Sequence, residues 1–211
     1  MIRRIALALA VAAPFAVATA APPSAPAATP SPDLDAVSAH LRAVTTMTAS
    51  FAQTDRNGRT LSGTLTLKRP GRIRFQYQAG VPLLIVGDGR ALTMIDYSVR
   101  QVSRWPIRNS PLGILLDPSR DMSRIAQVVP SGDPNLLVLR AHDPGHPEYG
   151  TISIAFTRAA SAPAGLMLRG WTTIDAQNNR TTIVLGNQRF NAPVSDETFR
   201  WNDPRPKGGR G

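Results

Sequence analysis

Few residues of this chain are of a type and spacing that could make or break bonds. It has three histidines and no cysteine. His142 and His146 stand with Asp143 and Glu148 in "HDPGHPEYG". That set could bind a metal weakly, but so much proline and glycine reads first as a solvated loop. His40 falls on the outward side of the first helical stretch. Asp117 and Asp121 could form a carboxylate pair, and read better as helix caps beside Pro118. Gly87-Asp88-Gly89 is a hairpin turn rather than a nucleotide motif. There is no glycine-rich phosphate loop, nucleophile elbow or histidine pair at metal spacing. No titratable pair is set for acid–base catalysis, so no enzyme activity, cofactor or metal is expected.

The residue that asks for an explanation is a cation. In "SGTLTLKRPGRIRFQY" (62–77), Leu65, Leu67 and Arg69 share one parity, and Thr64, Thr66 and Lys68 the other. Period-two alternation puts the sets on opposite faces of a pleated strand. After the Pro70-Gly71 turn, Ile73, Phe75 and Tyr77 continue the apolar face, opposite Arg72, Arg74 and Gln76. Arg69 therefore ends a greasy row, and a charge there is costly unless it meets a partner.

The elements that must position it are legible. Leu34, Val37, Leu41 and Val44 recur at helical spacing behind Ser31, a cap candidate, and Pro32, at a permitted first-turn position. From Met47 the pattern changes to alternating stretches, about eleven candidate strands between Thr48 and Phe190. Turn signals separate them: Asn57-Gly58, Pro70-Gly71, Gly87-Asp88-Gly89, Ser131-Gly132-Asp133-Pro134 and Asn178-Asn179. Strands joined by tight turns argue for a mainly β (α+β) fold, a curved antiparallel meander that is partly closed. One interruption, "SPLGILLDPSRDMS" (110–123), has no alternation and reads as one or two short helices. Its Leu112, Ile114, Leu115 and Leu116 need an apolar surface to cover. Laid over the mouth of a curved sheet, they would form a lid.

The apolar face under that lid includes Leu65, Leu67, Ile73, Phe75, Leu84 and Met94. Patterning alone favours an ordinary filled core. The in-line arginine and the scarcity of large aromatics favour an adaptable lining suited to acyl chains. Each buried methylene would contribute about 0.8 kcal/mol.

Residues 1–20 read as a secretory signal peptide: Arg3 and Arg4, an apolar run from Ile5, then Ala18-Thr19-Ala20. The run is too short to span a bilayer. Residues 21–32 are a proline-alanine linker, 33–204 form one domain, and 205–211 are a basic flexible tail too short for a further domain. Export without cysteine excludes disulfide staples and a lipid-modified N-terminal cysteine. The formal charge is +10, and arginine supplies nearly all the positive residues. Such a surface favours anionic partners, membrane headgroups included. Export, with no basic helix or aromatic stacking platform, argues against nucleic acid.

"LRAVTTMTASFAQTDRNGRTLSGTLTLKRPGRIRFQY", followed by "LLIVGDG", "SPLGILL" and "DETFRWNDP", resembles the LolA family of periplasmic outer-membrane lipoprotein carriers. The order and spacing of these pieces carry the likeness across residues 33–204. It implies an unclosed half-barrel with an N-terminal helix and a helical lid over an apolar cavity. It implies a monomer without catalysis, taking triacylated lipoproteins from an ATP-driven inner-membrane exporter to an outer-membrane receptor. Arg69 maps to the family's latch, which bonds lid carbonyls in the empty form. Leu41 maps to the family's cavity-lining helix residue, with Val44, also expected in the cavity, and Met47 beside it. Pro70, Arg72 and Ile73 map to the exporter-contacting hairpin tip. There this chain departs from the family, with isoleucine where an aromatic is common. A carrier of another lipid, such as a glycolipid, and a lipid- or lipoprotein-sensing module remain alternatives.

Overall fold

The computed structural model describes residues 31–107, 112–117, 119 and 121–206. Helix α1 spans Pro32–Ala43. Strands β1 (Thr46–Thr54), β2 (Thr60–Lys68), β3 (Arg72–Tyr77), β4 (Leu83–Asp88), β5 (Ala91–Asp96) and β6 (Gln101–Pro106) follow. A single helical turn, α2 (Gly113–Leu116), precedes β7 (Ala126–Val129), β8 (Leu136–His142), β9 (Thr151–Arg158), β10 (Leu166–Ile174) and β11 (Arg180–Phe190). All the strands form one sheet in the order β6-β5-β4-β3-β2-β1-β11-β10-β9-β8-β7. Every neighbouring pair is antiparallel, and β6 and β7 stay apart as the two edges. The expected unclosed half-barrel is what the chain forms.

Alternation sorts the strands into two faces. Inward go Met47, Ala49 and Phe51 of β1, Leu65 and Leu67 of β2, and Ile73, Phe75 and Tyr77 of β3, all buried in one core. From the other half come Leu137, Leu139, Ile152, Ile154, Phe156, Leu166, Leu168 and Trp171. Fully burying each aliphatic side chain contributes about 1.5–3 kcal/mol. The few aromatics meet edge to face: Phe51 lies 5.4 Å from Phe75 and 5.2 Å from Tyr77, and Phe75 lies 6.2 Å from Trp171. Gly63 makes room for this contact, because a Cβ there would sit 2.8 Å from the Phe51 ring and 2.1 Å from the Gln76 carbonyl oxygen.

The face of β4 differs from expectation. Gln76 pairs with Leu84 and Phe75 with Ile85, so Ile85 joins the inward row and Leu84 points outward. Leu84 therefore does not line the inner cavity. It belongs to a second, smaller core with Val86, Ile95 and Phe199, against which Val102, Val194 and Trp201 pack. Both faces of "LLIV" are apolar because the C-terminal segment, with a 3-10 turn at Asp196–Phe199, covers the convex side. Met94 lies opposite Ile85 and on the same face as Leu92, but it is not among the residues that line the chamber described below.

Helix α1 lays Val37 and Leu41 on the inner core. Ser31 occupies its N-cap without a side-chain cap bond. His40, expected outside, is 1% exposed. The 3-10 turn at Pro163–Gly165 covers that side of the helix, so the buried stripe is wider than its four aliphatic positions. Of the two expected helix caps, Asp117 is the C-cap residue of α2, and Asp121 caps no described helix. Asp117 follows α2 and accepts from the Ser119 N–H (3.0 Å), and Asp121 accepts from the Ser123 N–H (2.9 Å).

Candidate functional site: the lid, its latch and the apolar chamber

The lid is α2. Leu112 packs against the inner core, and Ile114, Leu115 and Leu116 are buried in it. A four-residue helix has almost no intrinsic stability, so this burial and its tethers must hold it. Ser110 and Pro111, also expected in the lid, lie outside the described residues.

The tethers come from the β2–β3 hairpin. Arg69 continues β2, and its backbone N–H donates to the Thr45 carbonyl at 2.8 Å. Its guanidinium turns inward. Nε and Nη2 donate to the Leu115 carbonyl at 3.2 and 3.1 Å, and Nη1 donates to the Val44 carbonyl. The fork thus joins the lid to the residue that ends α1, two groups distant in sequence. Only arginine presents donors in such a rigid planar set. Gly71 adds a fourth bond, its N–H donating to the Leu116 carbonyl at 3.0 Å. Gly71 has φ +74°, and a Cβ there would meet the Gly89 Cα at 2.6 Å, so the hairpin tip can nestle against the β4–β5 turn.

Burial pushes Arg69 down to about 10, which leaves it charged at neutral pH. Among the described residues it has no carboxylate partner. A buried charge held only by carbonyls can be freed without breaking an ion pair. Beside it, the His40 ring sits 5.4 Å from Phe156 with Nδ1 2.9 Å from the Pro163 carbonyl. Burial chiefly, with the Arg69 charge adding to it, holds His40 below its ordinary pKa.

Beside α2 lies a chamber of about 290 Å³ lined by Phe75, Ile85, Leu92, Trp105, Leu112, Trp171 and Ile183, with Gln53, Tyr149, Thr173, Asp175 and Thr181 at its polar margin. The Tyr77 hydroxyl donates to Gln53 at 2.7 Å, and burial pushes Tyr77 up to about 12, so the phenol stays neutral. Of the residues expected in the cavity, Phe75 lines this space. Leu41, Val44, Leu65 and Leu67 are in the filled core beside it. Sequence reasoning missed Ile85, Leu92 and Trp171 as lining. Their parity with Phe75 across the strand pairs was the available signal.

The hairpin tip is split. Pro70 is exposed and borders a cleft of about 720 Å³ with Gly71, Arg90, Ile107 and Leu116. Arg72 faces outward and pairs with Asp196, which also takes Lys68 at 2.6 Å. Ile73 is fully buried, paired with Leu67, so in this closed form it offers a partner no surface. Among the described residues no group of His, Asp and Glu is gathered to hold a metal, and His146 instead bonds Glu148 at 3.0 Å.

The sequence profile of the outer membrane lipoprotein carrier protein LolA matches residues 42–202. The chain belongs to the LolA family. It is 28% identical to the outer-membrane lipoprotein carrier protein of Chromobacterium violaceum, over 76% of this chain and 78% of that one. With the counterpart from Xylella fastidiosa the identity is 30%, over 78% and 81%. Among solved structures, the Pseudomonas aeruginosa MucA/MucB complex superposes with a TM-score of 0.50 at 13% identity, over 82% of this chain and 62% of that chain. That likeness is one of fold. The family is one of outer membrane lipoprotein carriers.

Proposed function

We propose that this chain is a periplasmic carrier that holds the acyl chains of a lipoprotein beneath α2 and releases them at the outer membrane. The observation that carries the reading is the Arg69 fork on the Leu115 and Val44 carbonyls. The chamber beside α2, about 290 Å³, is at the small end of ligand pockets, which run about 300–1,000 Å³. A triacylated cargo must therefore lift the lid and break the fork. The apolar gain of loading is set against those bonds, so the reclosing latch favours release. Arg69 is the latch. Leu112, Ile114, Leu115 and Leu116 are the moving cover. The core that Leu41, Val44, Leu65 and Leu67 now fill is the wall an opened lid would uncover.

The exporter is an ATP-driven complex of the inner membrane, engaging Pro70 and Arg72 at the hairpin tip, and an outer-membrane receptor takes the cargo. Residues 1–20 direct export and are removed. No catalytic step is required, since loading spends energy supplied by the exporter. Spheroplasts carrying radiolabelled lipoprotein test the reading: the mature protein should release a stoichiometric soluble complex. Absence of label in the supernatant, with spheroplasts of the chain's own source, would overturn it.

A further inference from the structure

The hairpin tip and the lid leave one strongly basic place unexplained, on the other edge of the sheet. A groove of about 500 Å³ is lined by Ser123, Arg124, Ile125, Gln127, Arg140, His142 and Thr151, together with Ala126 and Pro144. Its floor is built by strand register. Gln127 pairs with Arg140, Arg140 with Ser153, and His142 with Thr151. Arg140 and His142 are two residues apart on β8, so they share the convex face at roughly 7 Å. Arg124 comes from the turn that leads into β7. All three side chains are exposed, and neither arginine forms an ion pair with a described residue. No acidic side chain lines the groove. Asp121 is the counter-charge felt by Arg124, and its carboxylate is engaged by Ser123.

Two guanidinium forks, an imidazole, an amide and hydroxyls converge here. This is the donor set that binds a phosphoryl group, since each fork can give two parallel N–H bonds to its oxygens. The position adds a second consideration. The His142 N–H donates to the Ile125 carbonyl at 2.8 Å, and the Ala126 N–H to the Met122 carbonyl at 2.8 Å. Met122 is buried in the inner core. The groove therefore lies at the seam where the chain leaving the lid joins the sheet, on the rim of the half-barrel's opening.

We infer that the Arg124–Arg140–His142 groove binds the phosphate of an anionic phospholipid headgroup and seats the β7 rim on a membrane. The chain's formal charge of +10, which becomes +8 once residues 1–20 with Arg3 and Arg4 are removed, draws it to such a surface from solution, and the groove fixes which edge lands. The site is separate from the hairpin tip, and it stands whatever the cargo is.

The test uses the full mature chain and vesicles of phosphatidylcholine with or without phosphatidylglycerol, read by co-sedimentation. Arg124→Gln with Arg140→Gln should lower partitioning onto phosphatidylglycerol vesicles on the order of 25-fold, at about fivefold for each arginine at an anionic surface. The control removes the same charge from two exposed residues outside the groove, Arg169 of β10 and Arg189 of β11, through Arg169→Gln with Arg189→Gln, and should change partitioning less than twofold. Matching circular dichroism spectra and melting temperatures confirm that both pairs fold. Equal losses from the two pairs would overturn the groove and leave a diffuse charge effect. Inorganic phosphate, followed by amide shifts at Gln127 and His142, separates the sources of the anion. If the groove pair abolishes those shifts but leaves vesicle binding intact, the site takes free phosphate and the membrane assignment falls.

Discussion

The two faces of β3 and β4 carry the same device with different consequences. Inside, a helical turn, α2, covers the core and is tied by Arg69 to carbonyl oxygens. Outside, a 3-10 turn covers Leu84, Val86 and Ile95, and Arg74 ties it down by donating to the Thr198 and Arg200 carbonyls at 3.2 and 3.0 Å. The outer cap has extra ties: Lys68 reaches the Val194 carbonyl at 2.9 Å, and Asp196 pairs with Lys68 and Arg72. It closes on a small filled core, whereas the inner cap closes on a chamber. One arginine thus ties a cover over a chamber, and the other a cover over a filled core.

The largest effect should come from the cores themselves. Leu65→Ala, at a residue with no exposure, should cost about 2–5 kcal/mol in denaturant unfolding. Phe199→Ala on the convex side should cost about 3 kcal/mol, toward the low end for a nearly buried aromatic, yet leave lipoprotein release from spheroplasts unchanged. If Phe199→Ala altered release, the two covers would not be functionally distinct.

Next comes the latch. Arg69→Leu should still load lipoprotein but deliver it to outer-membrane acceptors at least tenfold more slowly, a change of about 1.4 kcal/mol. Its stability should fall only a little, because the donors lost to the Leu115 and Val44 carbonyls are set against relief of a buried, desolvated charge. Normal delivery would remove the latch assignment. Arg74→Leu, its convex counterpart, should leave delivery intact and lower the unfolding midpoint instead.

A smaller effect is tied to pH. Burial holds His40 below its ordinary 6.5, so the unfolded chain takes up that proton first. The stability that neutral His40 contributes is full above pH 6.5 and is lost as pH falls below it. Arg69 works in the same direction. Thermal melts of His40→Phe should fall less steeply between about pH 7 and 5 than those of the parent. The least effect belongs to Asp196, exposed and held at about 2 by Arg72 and Lys68. Its contribution is complete above about pH 4 and fades as pH approaches 2. Melting curves of parent and Asp196→Asn should differ slightly at neutral pH and converge in acid.

Most of the fold was legible because alternation is a local property. All eleven strands, the opening helix and the lid follow from residue types within a few positions of one another. What local pattern could not supply was the choice between faces when both are apolar. In "LLIV" a one-residue shift exchanges Leu84 for Ile85, and the C-terminal cover that makes the outer face greasy lies more than a hundred residues away. The same limit hid the burial of His40, which depends on the turn at Pro163–Gly165. Arg69 was conspicuous as a charge out of place, and its Leu115 acceptor lay in a segment already read as a lid. Its second acceptor, Val44, was not legible, since it arises where α1 passes into the central strand. Ile73 was read both as inward and as a contact surface, and pairing with Leu67 leaves room only for the first.

The strand order has a further consequence for how the chain assembles. Strands β6 and β7 follow one another in sequence yet sit at opposite edges, while β1 and β11 meet in the middle. Each half of the sheet is thus a run of local hairpins, and the pairing from Met47 with Phe190 to Thr54 with Thr182 is the one junction that must close a long loop. The halves can form early, and their union sets the pace. A cut between β6 and β7 severs no strand pair, so two fragments parted there would still share the β1–β11 seam and find each other through it.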